Sequence, residues 1–230
     1  MNHVEHQAYF IAGTDTEVGK TTICAGLLQA ARRAGRSTLG AKPVASGCER
    51  THEGLRNSDA LALMAESSVQ LAYEAINPLA FEPAIAPHIA AQESDIALRV
   101  EALLPAMRQV LEHRADFTLI EGAGGWRVPL SGEGNLSDLA IALGLPVILV
   151  VGVRLGCINH AVLTAEAIAR DGLRLAGWVA NIVDPHTSRL EENLATLSER
   201  LPAPCLGRVP FLAHACAGAV ADHLDLNRLS

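Results

Sequence analysis

A short polar stretch, Gly19-Lys20-Thr21-Thr22, lies between a strand-like apolar run and a helical pattern. This order is typical of a phosphate-binding loop, in which successive backbone N–H groups and a helix N-terminus face an anion. A lysine in this place can reach the β- and γ-phosphates of a nucleotide, and the hydroxyl that follows can bind Mg²⁺. The alternative is an ordinary helix start with an exposed lysine, but the flanking patterns favour the phosphate-binding loop.

The spacing of this loop differs from the standard pattern G-x-x-x-x-G-K-[ST]. That pattern requires glycine at position 14, where the chain has Thr14, and the preceding glycine is Gly13. We therefore expect a loop with one extra residue between the strand and the Gly-Lys-Thr turn.

The composition argues against several classes of protein. A net charge of −7 and an aromatic content of 3% are unfavourable for binding nucleic acid without sequence preference. The five cysteines are widely spaced and odd in number, which is typical of reduced thiols in the cytoplasm. The longest uncharged apolar region, Leu139–Val153, is too short to cross a bilayer, so we expect no membrane contact. The length of 230 residues predicts one domain, residues 1–230, with residues 1–8 as an extension of unassigned structure.

Apolar, β-branched runs alternate with helical patterns along the chain. This alternation predicts an α/β fold with a mostly parallel sheet and helices on both faces. The predicted strands are Ala8–Ala12, Ser37–Lys42, Phe117–Glu121, Val147–Val151, Ala176–Ile182 and Cys205–Val209. The predicted helices are Lys20–Arg33, Ser58–Ala65, Asp95–His113, Ser137–Leu143, His160–Arg170 and Ser188–Arg200. Ligands of such sheets bind beyond the carboxyl ends of the strands.

Three charged residues follow strands or begin helices at this edge of the predicted sheet. Lys42 ends the second strand, where a lysine would neutralise charge during phosphoryl transfer, and the alternative is a solvated surface lysine. Glu121 ends the third strand, where a carboxylate commonly holds Mg²⁺, and the alternative is a charge before a turn. Asp59 stands at a helix start and, taken alone, is better explained as a carboxylate on the helix dipole.

Three further segments have two interpretations each. Gly152–Asn159 leads into a helix whose N-terminus can hold an anion, or it is an ordinary connection in which Cys157 is a small packing residue. Asn181 can hydrogen-bond a purine, while Ile182 replaces the lysine of the guanine-reading Asn-Lys-x-Asp pattern. Asn77–Glu93 contains three prolines and is predicted to be a long surface excursion, either a lid or substrate wall or a plain connecting loop.

Six segments together resemble the dethiobiotin synthetase family, and the resemblance runs from about Tyr9 to Pro210. They are Gly-Thr-Asp-Thr-Glu-Val-Gly-Lys-Thr (13–21), Lys-Pro-Val-Ala-Ser-Gly (42–47), Gly-Leu-Arg-Asn-Ser-Asp-Ala (54–60), Glu-Gly-Ala-Gly-Gly-Trp (121–126), Gly-Cys-Ile-Asn-His (156–160) and Gly-Trp-Val-Ala-Asn (177–181). The tail after Leu212 and the segment 131–135 depart from the family pattern. The resemblance implies a P-loop NTPase architecture and an ATP- and Mg²⁺-dependent ligase of biotin biosynthesis.

The resemblance also implies a reaction. One amine of 7,8-diaminopelargonic acid takes up CO₂ as a carbamate, whose oxygen attacks the γ-phosphate of ATP to give a carbamic–phosphoric anhydride. The second amine then closes the cyclic urea of dethiobiotin and expels phosphate. The implied assembly is a homodimer that shares its substrate site across the interface.

The roles that the resemblance implies fall on four groups of residues. The implied catalytic residues are Lys42 and Lys20, and the implied Mg²⁺ ligands are Thr21, Asp59 and Glu121. The implied ATP-binding residues are Glu17, Val18, Gly19, Lys20, Thr21, Thr22, Asp59, Glu121, Gly122, Ala123, Gly124, Asn181, Ile182, Pro210, Phe211 and Leu212. The implied substrate-binding residues are Thr16, Lys42 and Ser46, with Gly156, Cys157, Ile158 and Asn159 supplied by the partner subunit.

Two other functions remain open at the level of sequence. A partitioning or metallochaperone-type P-loop ATPase would act as a nucleotide-switched interaction module, but such proteins often carry an extra lysine early in the loop, where this chain has Thr14, Asp15 and Thr16. A GTPase is disfavoured by Ile182.

Overall fold

The computed structural model describes residues 6–229. Ten strands are present in this part of the chain. They are β1 (Gln7–Gly13), β2 (Thr38–Ala41), β3 (Val44–Ala45), β4 (Glu49–Thr51), β5 (Gly54–Arg56), β6 (Leu79–Ala80), β7 (Phe117–Glu121), β8 (Val147–Val153), β9 (Leu175–Ile182) and β10 (Cys205–Val209).

Nine α-helices and one 3₁₀-helix, Leu226–Arg228, lie within the same described residues. The α-helices are α1 (Lys20–Arg33), α2 (Ser58–Ala65), α3 (Tyr73–Ile76), α4 (Pro87–Glu93), α5 (Val100–Glu112), α6 (Ser137–Leu143), α7 (Cys157–Arg170), α8 (Leu190–Arg200) and α9 (Ala217–Ala221).

A six-stranded sheet in the order β10-β9-β8-β1-β7-β2 forms the centre of the fold. Every pair of neighbours in this sheet is parallel. The carboxyl ends of β1, β2 and β7 therefore meet at one edge, which brings the phosphate-binding loop, Lys42 and Glu121 together. This arrangement confirms the predicted α/β fold with a parallel sheet.

The sheet is covered on both faces, as the side chains of β1 illustrate. Phe10 and Ala12 belong to one hydrophobic cluster, which also contains residues of α5, α6, α7 and α8. Tyr9 and Ile11 alternate with them and belong to the other cluster, which is built with α1 and α9. Because both faces are buried, the strands are continuous apolar runs without the alternation of a half-exposed strand.

Most of the predicted elements are present with bounds that differ by at most three residues, but one long helix is shorter than predicted. We expected a helix over Asp95–His113, and α5 begins only at Val100. Asp95 has a left-handed backbone with φ of 54°. Leu98 exchanges hydrogen bonds with Ser131, whose Oγ accepts from the Leu98 N–H at 3.0 Å, while the Ser131 N–H donates to the Leu98 carbonyl at 2.8 Å. The N–H and carbonyl of Leu98 are therefore bonded to Ser131 and are not available for the internal hydrogen bonds of a helix.

The excursion expected over Asn77–Glu93 is more structured than a plain loop. It contains the short strand β6, which pairs with β3, and the helix α4, which begins with Pro87. Proline is well suited to the first turn of a helix because its missing N–H would have no partner there.

Two residues assigned to the predicted extension over residues 1–8 belong to the central sheet. Gln7 and Ala8 are the first residues of β1 and pair with Phe117 and Thr118 of β7; residues 1–5 lie outside the described part of the chain. Within residues 6–229, no helix combines the length and the apolar character that a membrane crossing requires.

Candidate functional site

The loop between β1 and α1 is fixed at both of its ends. The Thr14 N–H donates to the Val150 carbonyl at 3.0 Å, which ties the loop to the neighbouring strand. Gly19 precedes α1 with a left-handed φ of 83°, and a side chain there would collide with the amide of Asn181. The same amide donates to the Val18 carbonyl at 2.9 Å. Glycine at this position is therefore required both by the backbone conformation and by space.

Lys42 lies at the centre of a cluster of charged groups beyond the sheet. Its ammonium is 2.6 Å from Oε1 of Glu121 and 2.9 Å from Oδ2 of Asp59. The Thr21 hydroxyl donates to the same Glu121 oxygen at 2.8 Å. The side chains of Lys42 and Glu121 are 5% and 0% exposed, so this pair is buried, whereas 40% of the Asp59 side chain is exposed.

The ionic contacts set the protonation of Lys42 and Asp59. Burial alone would lower the pKa of Lys42, but the carboxylates of Glu121 and Asp59 outweigh it and raise that pKa above its ordinary value. Burial would raise the pKa of Asp59, and the neighbouring Lys42 ammonium outweighs this effect and lowers it. Both residues are therefore charged at neutral pH.

Lys20 has a different electrostatic environment from Lys42. Its ammonium donates to the Asp15 carbonyl at 3.1 Å. Burial, followed by repulsion from Lys42, lowers the pKa of Lys20 to about 8. An anion bound beside it would compensate the desolvated charge, which is the role of a lysine in a phosphate-binding loop.

The oxygen atoms of this cluster fit a magnesium ion. Oε2 of Glu121 is buried and has no hydrogen-bond partner among the described residues. Carboxylate and hydroxyl oxygens from Glu121, Asp59 and Thr21 form the hard donor set that Mg²⁺ prefers, and a phosphate oxygen usually completes it. Among residues 6–229, no group of three or more His, Cys, Asp and Glu side chains could hold a metal ion, so a metal here would also need the hydroxyl and the ligand.

A cleft of about 830 Å³ opens beside this cluster. Its walls come from the phosphate-binding loop, the segment after β2, the loop before α4 and the glycine-rich turn after β7. Among its lining residues are Thr16, Glu17, Gly19, Lys20, Thr21, Thr22, Lys42, Ser46, Asp59, Glu121, Ala123 and Gly124. Oγ of Ser46 is buried and without a hydrogen-bond partner among the described residues, so it is available to a ligand in the cleft.

A smaller cavity of about 250 Å³ lies on the other side of the loop. It is lined by Asn181 and Ile182 at the end of β9 and by Pro210, Phe211 and Leu212 after β10. Glu17 and Thr22 line both the cavity and the cleft, so the two spaces adjoin at the phosphate-binding loop. A flat apolar group joined to a phosphate chain matches this pair of spaces.

Comparison with known proteins connects this geometry to a family. A family model described as an AAA domain matches residues 7–216. The chain is 73% identical over 222 residues to the ATP-dependent dethiobiotin synthetase BioD of Pseudomonas paraeruginosa, covering 96% of this chain and 97% of that protein. It is 59% identical over 223 residues to the protein of the same name from Cellvibrio japonicus, covering 97% of each chain. The chain belongs to the ATP-dependent dethiobiotin synthetase family.

Solved structures show that this synthetase family member has the P-loop NTPase fold. The MinC:MinD cell division protein complex of Aquifex aeolicus matches with a TM-score of 0.58 at 15% identity, covering 94% of this chain and 85% of that chain. The cell division protein FtsY of Thermotoga maritima matches with a TM-score of 0.53 at 16% identity, covering 94% and 67%. At this level of identity the likeness concerns the fold alone.

Most of the residues singled out in the sequence meet at the cleft or the cavity of this synthetase family member. Val18 is buried beneath the loop, and the Gly122 carbonyl lies 3.4 Å from the Lys42 ammonium. The segment Gly156–Asn159 forms the start of α7 and is not part of the cleft wall among the described residues. Within it, Cys157 is buried in the core, which agrees with its interpretation as a packing residue.

Several residues that line the cleft carry no signal in the sequence. Arg127 lines the cleft and forms a two-bond contact with Asp171, at 2.6 and 2.7 Å. No motif signals this contact, because the two residues are 44 positions apart.

The composition does distinguish the two lysines of the site. Of the 18 Lys and Arg residues only two are lysines, Lys20 and Lys42, and both lie in the site.

Proposed function

We propose that this protein is a dethiobiotin synthetase, which uses ATP and Mg²⁺ to join CO₂ to 7,8-diaminopelargonic acid and close the cyclic urea of dethiobiotin. The observation that carries the proposal is the convergence of Lys20, Lys42, Asp59 and Glu121 on one cleft in a member of this family. Phosphoryl transfer depends on positioning and charge neutralisation more than on covalent help from the protein. Two cations beside two carboxylates meet that need.

The first chemical step joins the carbamate of the diamine to the γ-phosphorus of ATP. A carbamate oxygen forms the new P–O bond, the bond to the β–γ bridging oxygen breaks, and ADP leaves. Lys20 neutralises the triphosphate and Lys42 neutralises the carbamate and the transferring phosphoryl group. The second amine then attacks the carbamoyl carbon and loses a proton, and phosphate leaves as the ring closes.

The residues beside the triphosphate divide into binding groups. The backbone from Glu17 to Thr22 wraps the phosphates, and Ala123 and Gly124 form the opposite wall. The adenine occupies the cavity at Asn181 and Phe211. Thr21, Asp59 and Glu121 would hold Mg²⁺, which when bound supplies charge neutralisation at the phosphates.

The organic substrate occupies the part of the cleft between Thr16 and Ser46, beside Lys42. Its distant carboxylate reaches the start of α7 in the second subunit of a homodimer, where helical N–H groups favour an anion. The four residues Gly156–Asn159 lie away from the cleft of their own chain, which supports a shared site. We place the enzyme in the cytoplasm, and its five free cysteine thiols support this compartment.

ADP release measured with and without the diamine tests the proposal. With bicarbonate and Mg²⁺ present, we expect ADP release to require 7,8-diaminopelargonic acid and to match dethiobiotin formation one to one. ATP hydrolysis at the same rate with and without the diamine would contradict the proposal. If nucleotide alone also changed the oligomeric state, the nucleotide-switched P-loop ATPase that the sequence leaves open would take its place.

A further inference from the structure

A chain of buried hydrogen bonds runs beneath the site and links the backbone of Lys42 to the start of α2. Tyr73, in the one-turn helix α3, lies at its middle. The Asn57 N–H donates to the Tyr73 hydroxyl at 2.7 Å, and that hydroxyl donates to Oδ1 of Asn77 at 2.9 Å. Tyr73, Asn57 and Asn77 are all buried, so each of these bonds is shielded from water.

One end of this series of hydrogen bonds holds the backbone of Lys42, directly after β2. Nδ2 of Asn77 donates to the Lys42 carbonyl at 2.7 Å, and the Lys42 N–H donates to the Ile76 carbonyl at 2.9 Å. Both backbone groups of Lys42 are therefore bonded to the segment that follows Tyr73. The position of the Lys42 backbone in turn determines where its ammonium can reach.

The other end of this series of hydrogen bonds holds the backbone of Asp59. Oδ1 of Asn57 accepts from the N–H groups of Asp59 and Ala60 at 3.1 and 3.3 Å, which caps α2. Nδ2 of Asn57 donates to the Ser46 carbonyl at 3.3 Å, so the same residue also contacts the segment that lines the cleft. The Lys42–Asp59 ion pair closes the ring at the surface of the site.

The direction of every bond in this chain follows from the Tyr73 hydroxyl. A backbone N–H can only donate, so the hydroxyl must accept from Asn57 and can donate its single proton to Asn77. Asn77 then presents its oxygen to Tyr73 and its NH₂ group to Lys42. Burial raises the pKa of the Tyr73 phenol, so the proton that this order requires is present at neutral pH. The guanidinium of Arg56 lies 4.2 Å above the ring.

We propose that Tyr73 is a positioning residue, whose hydroxyl sets the separation between Lys42 and Asp59 through Asn77 and Asn57. This inference rests on the proposed function, because it assigns to Tyr73 the alignment of two groups that act on the phosphoryl transfer. Tyr73 itself acts through other residues and has no direct part in the chemistry.

The test compares Tyr73→Phe with Tyr9→Phe. The chain has two tyrosines, and Tyr9 is buried in β1 against Phe117, so its variant controls for the loss of a tyrosine hydroxyl. We expect Tyr73→Phe to lower kcat about 10- to 100-fold, because small displacements of reacting groups are costly. ADP affinity and the KM for ATP should stay within about twofold of the unaltered protein, because the phosphate-binding loop is intact.

A second variant breaks the same chain at its next bond. Asn77→Ala removes the link to the Lys42 carbonyl and should lower kcat to a similar extent. In the double variant Tyr73→Phe/Asn77→Ala the loss of kcat should be close to that of one single variant, because breaking the same series of hydrogen bonds at a second place adds little. Losses that multiply in the double variant would contradict the proposal, as would a kcat of Tyr73→Phe equal to that of Tyr9→Phe.

Lysine NMR provides a readout that does not depend on activity. With two lysines in the chain, ¹⁵N-lysine labelling gives two side-chain ammonium signals to assign. Tyr73→Phe should shift or broaden the signal of Lys42 and leave that of Lys20 in place, whereas Tyr9→Phe should change neither. An unaltered Lys42 signal would overturn the positioning role. If the unaltered protein made no dethiobiotin, the proposed function would fail while this measurement still decided the role of Tyr73.

Discussion

The ion pair of Lys42 and Glu121 and that of Arg50 and Glu82 have nearly the same length, 2.6 and 2.7 Å, but very different surroundings. The side chains of the first pair are 5% and 0% exposed, and those of the second are 72% and 53% exposed. Water screens the exposed pair and leaves it little net energy. The buried pair carries a large desolvation cost, which at Lys42 is outweighed by the contacts with Glu121 and Asp59.

The two regions also differ in the residues that carry the positive charge. The site uses Lys20 and Lys42, whereas the surface ion pairs of the described residues use arginine in nearly every case. A lysine concentrates its charge on one small group with three donors, and its pKa responds strongly to burial. The buried charges of this protein therefore lie where the chemistry proposed for the cleft would use them.

The largest expected effect follows from Lys42→Ala. We expect turnover to fall at least about 1,000-fold, since charge on the transferring group is left uncompensated. A non-hydrolysable ATP analogue should bind almost as before, because Lys20 and the loop backbone remain. Parallel losses of analogue binding and turnover would refute this division of labour.

The same variant should destabilise the protein, since it leaves the buried Glu121 carboxyl without its partner. Breaking such a pair costs about 3–5 kcal/mol of unfolding free energy. A double variant, Lys42→Ala/Glu121→Gln, removes both charges and should recover much of that stability without recovering turnover. Urea unfolding of the two variants measures the difference.

The next effect in size is expected for Lys20→Ala. Triphosphate binding and turnover should both weaken, by about 10- to 100-fold, because a charged hydrogen bond to phosphate is lost. Titration with the ATP analogue and steady-state kinetics measure the two quantities. Unchanged analogue affinity would show that Lys20 does not contact the phosphates.

The pH dependence of nucleotide binding sharpens the contrast between the two lysines. The pKa of Lys20 is lowered to about 8, and ATP favours the protonated form. Analogue affinity should therefore be constant below this pH and fall above it, by up to about tenfold per pH unit. Lys42 remains protonated throughout this range because its pKa is raised. Lys20→Ala should abolish the dependence, and a pH profile shared by both proteins would contradict the assignment.

The smallest effects are expected for contacts outside the charged cluster, on the free energy of unfolding. Asp171 accepts bonds from Arg127 and, at 2.7 Å, from the Trp126 ring N–H, and these contacts fix the turn after β7. Asp171→Asn should lower the free energy of unfolding by about 1 kcal/mol. The exposed Arg50→Ala should change it by less than about 0.5 kcal/mol. Thermal or urea unfolding of both variants measures the two losses of unfolding free energy. Equal losses would contradict the prediction.

The parts of this molecule that local sequence determines were predictable. The bounds of α1, α2, α6, β7 and β10 match the predictions, since each has a clear apolar period and a Gly, Asn or polar residue at its start or end. The positions of Lys42 and Glu121 at strand ends followed from the parallel sheet alone.

The parts that depend on distant contacts were not predictable. The start of α5 moves to Val100 because Leu98 pairs with Ser131, and nothing near Leu98 in the sequence indicates that partner. Asp59 taken alone is explained as a helix-start carboxylate, and only the resemblance to the family placed it in the site; its contact with Lys42 depends on the folded chain. The link through Tyr73 joins residues from three separate segments, so it has no motif.

Incorporation of ¹³C-labelled bicarbonate into product is the most direct test of the central account. With Mg²⁺, ATP and 7,8-diaminopelargonic acid, we expect dethiobiotin with ¹³C at its urea carbon, one ADP for each labelled product, and no product from Lys42→Ala. ATP hydrolysis without labelled product, or labelled product formed equally well by Lys42→Ala, would contradict it.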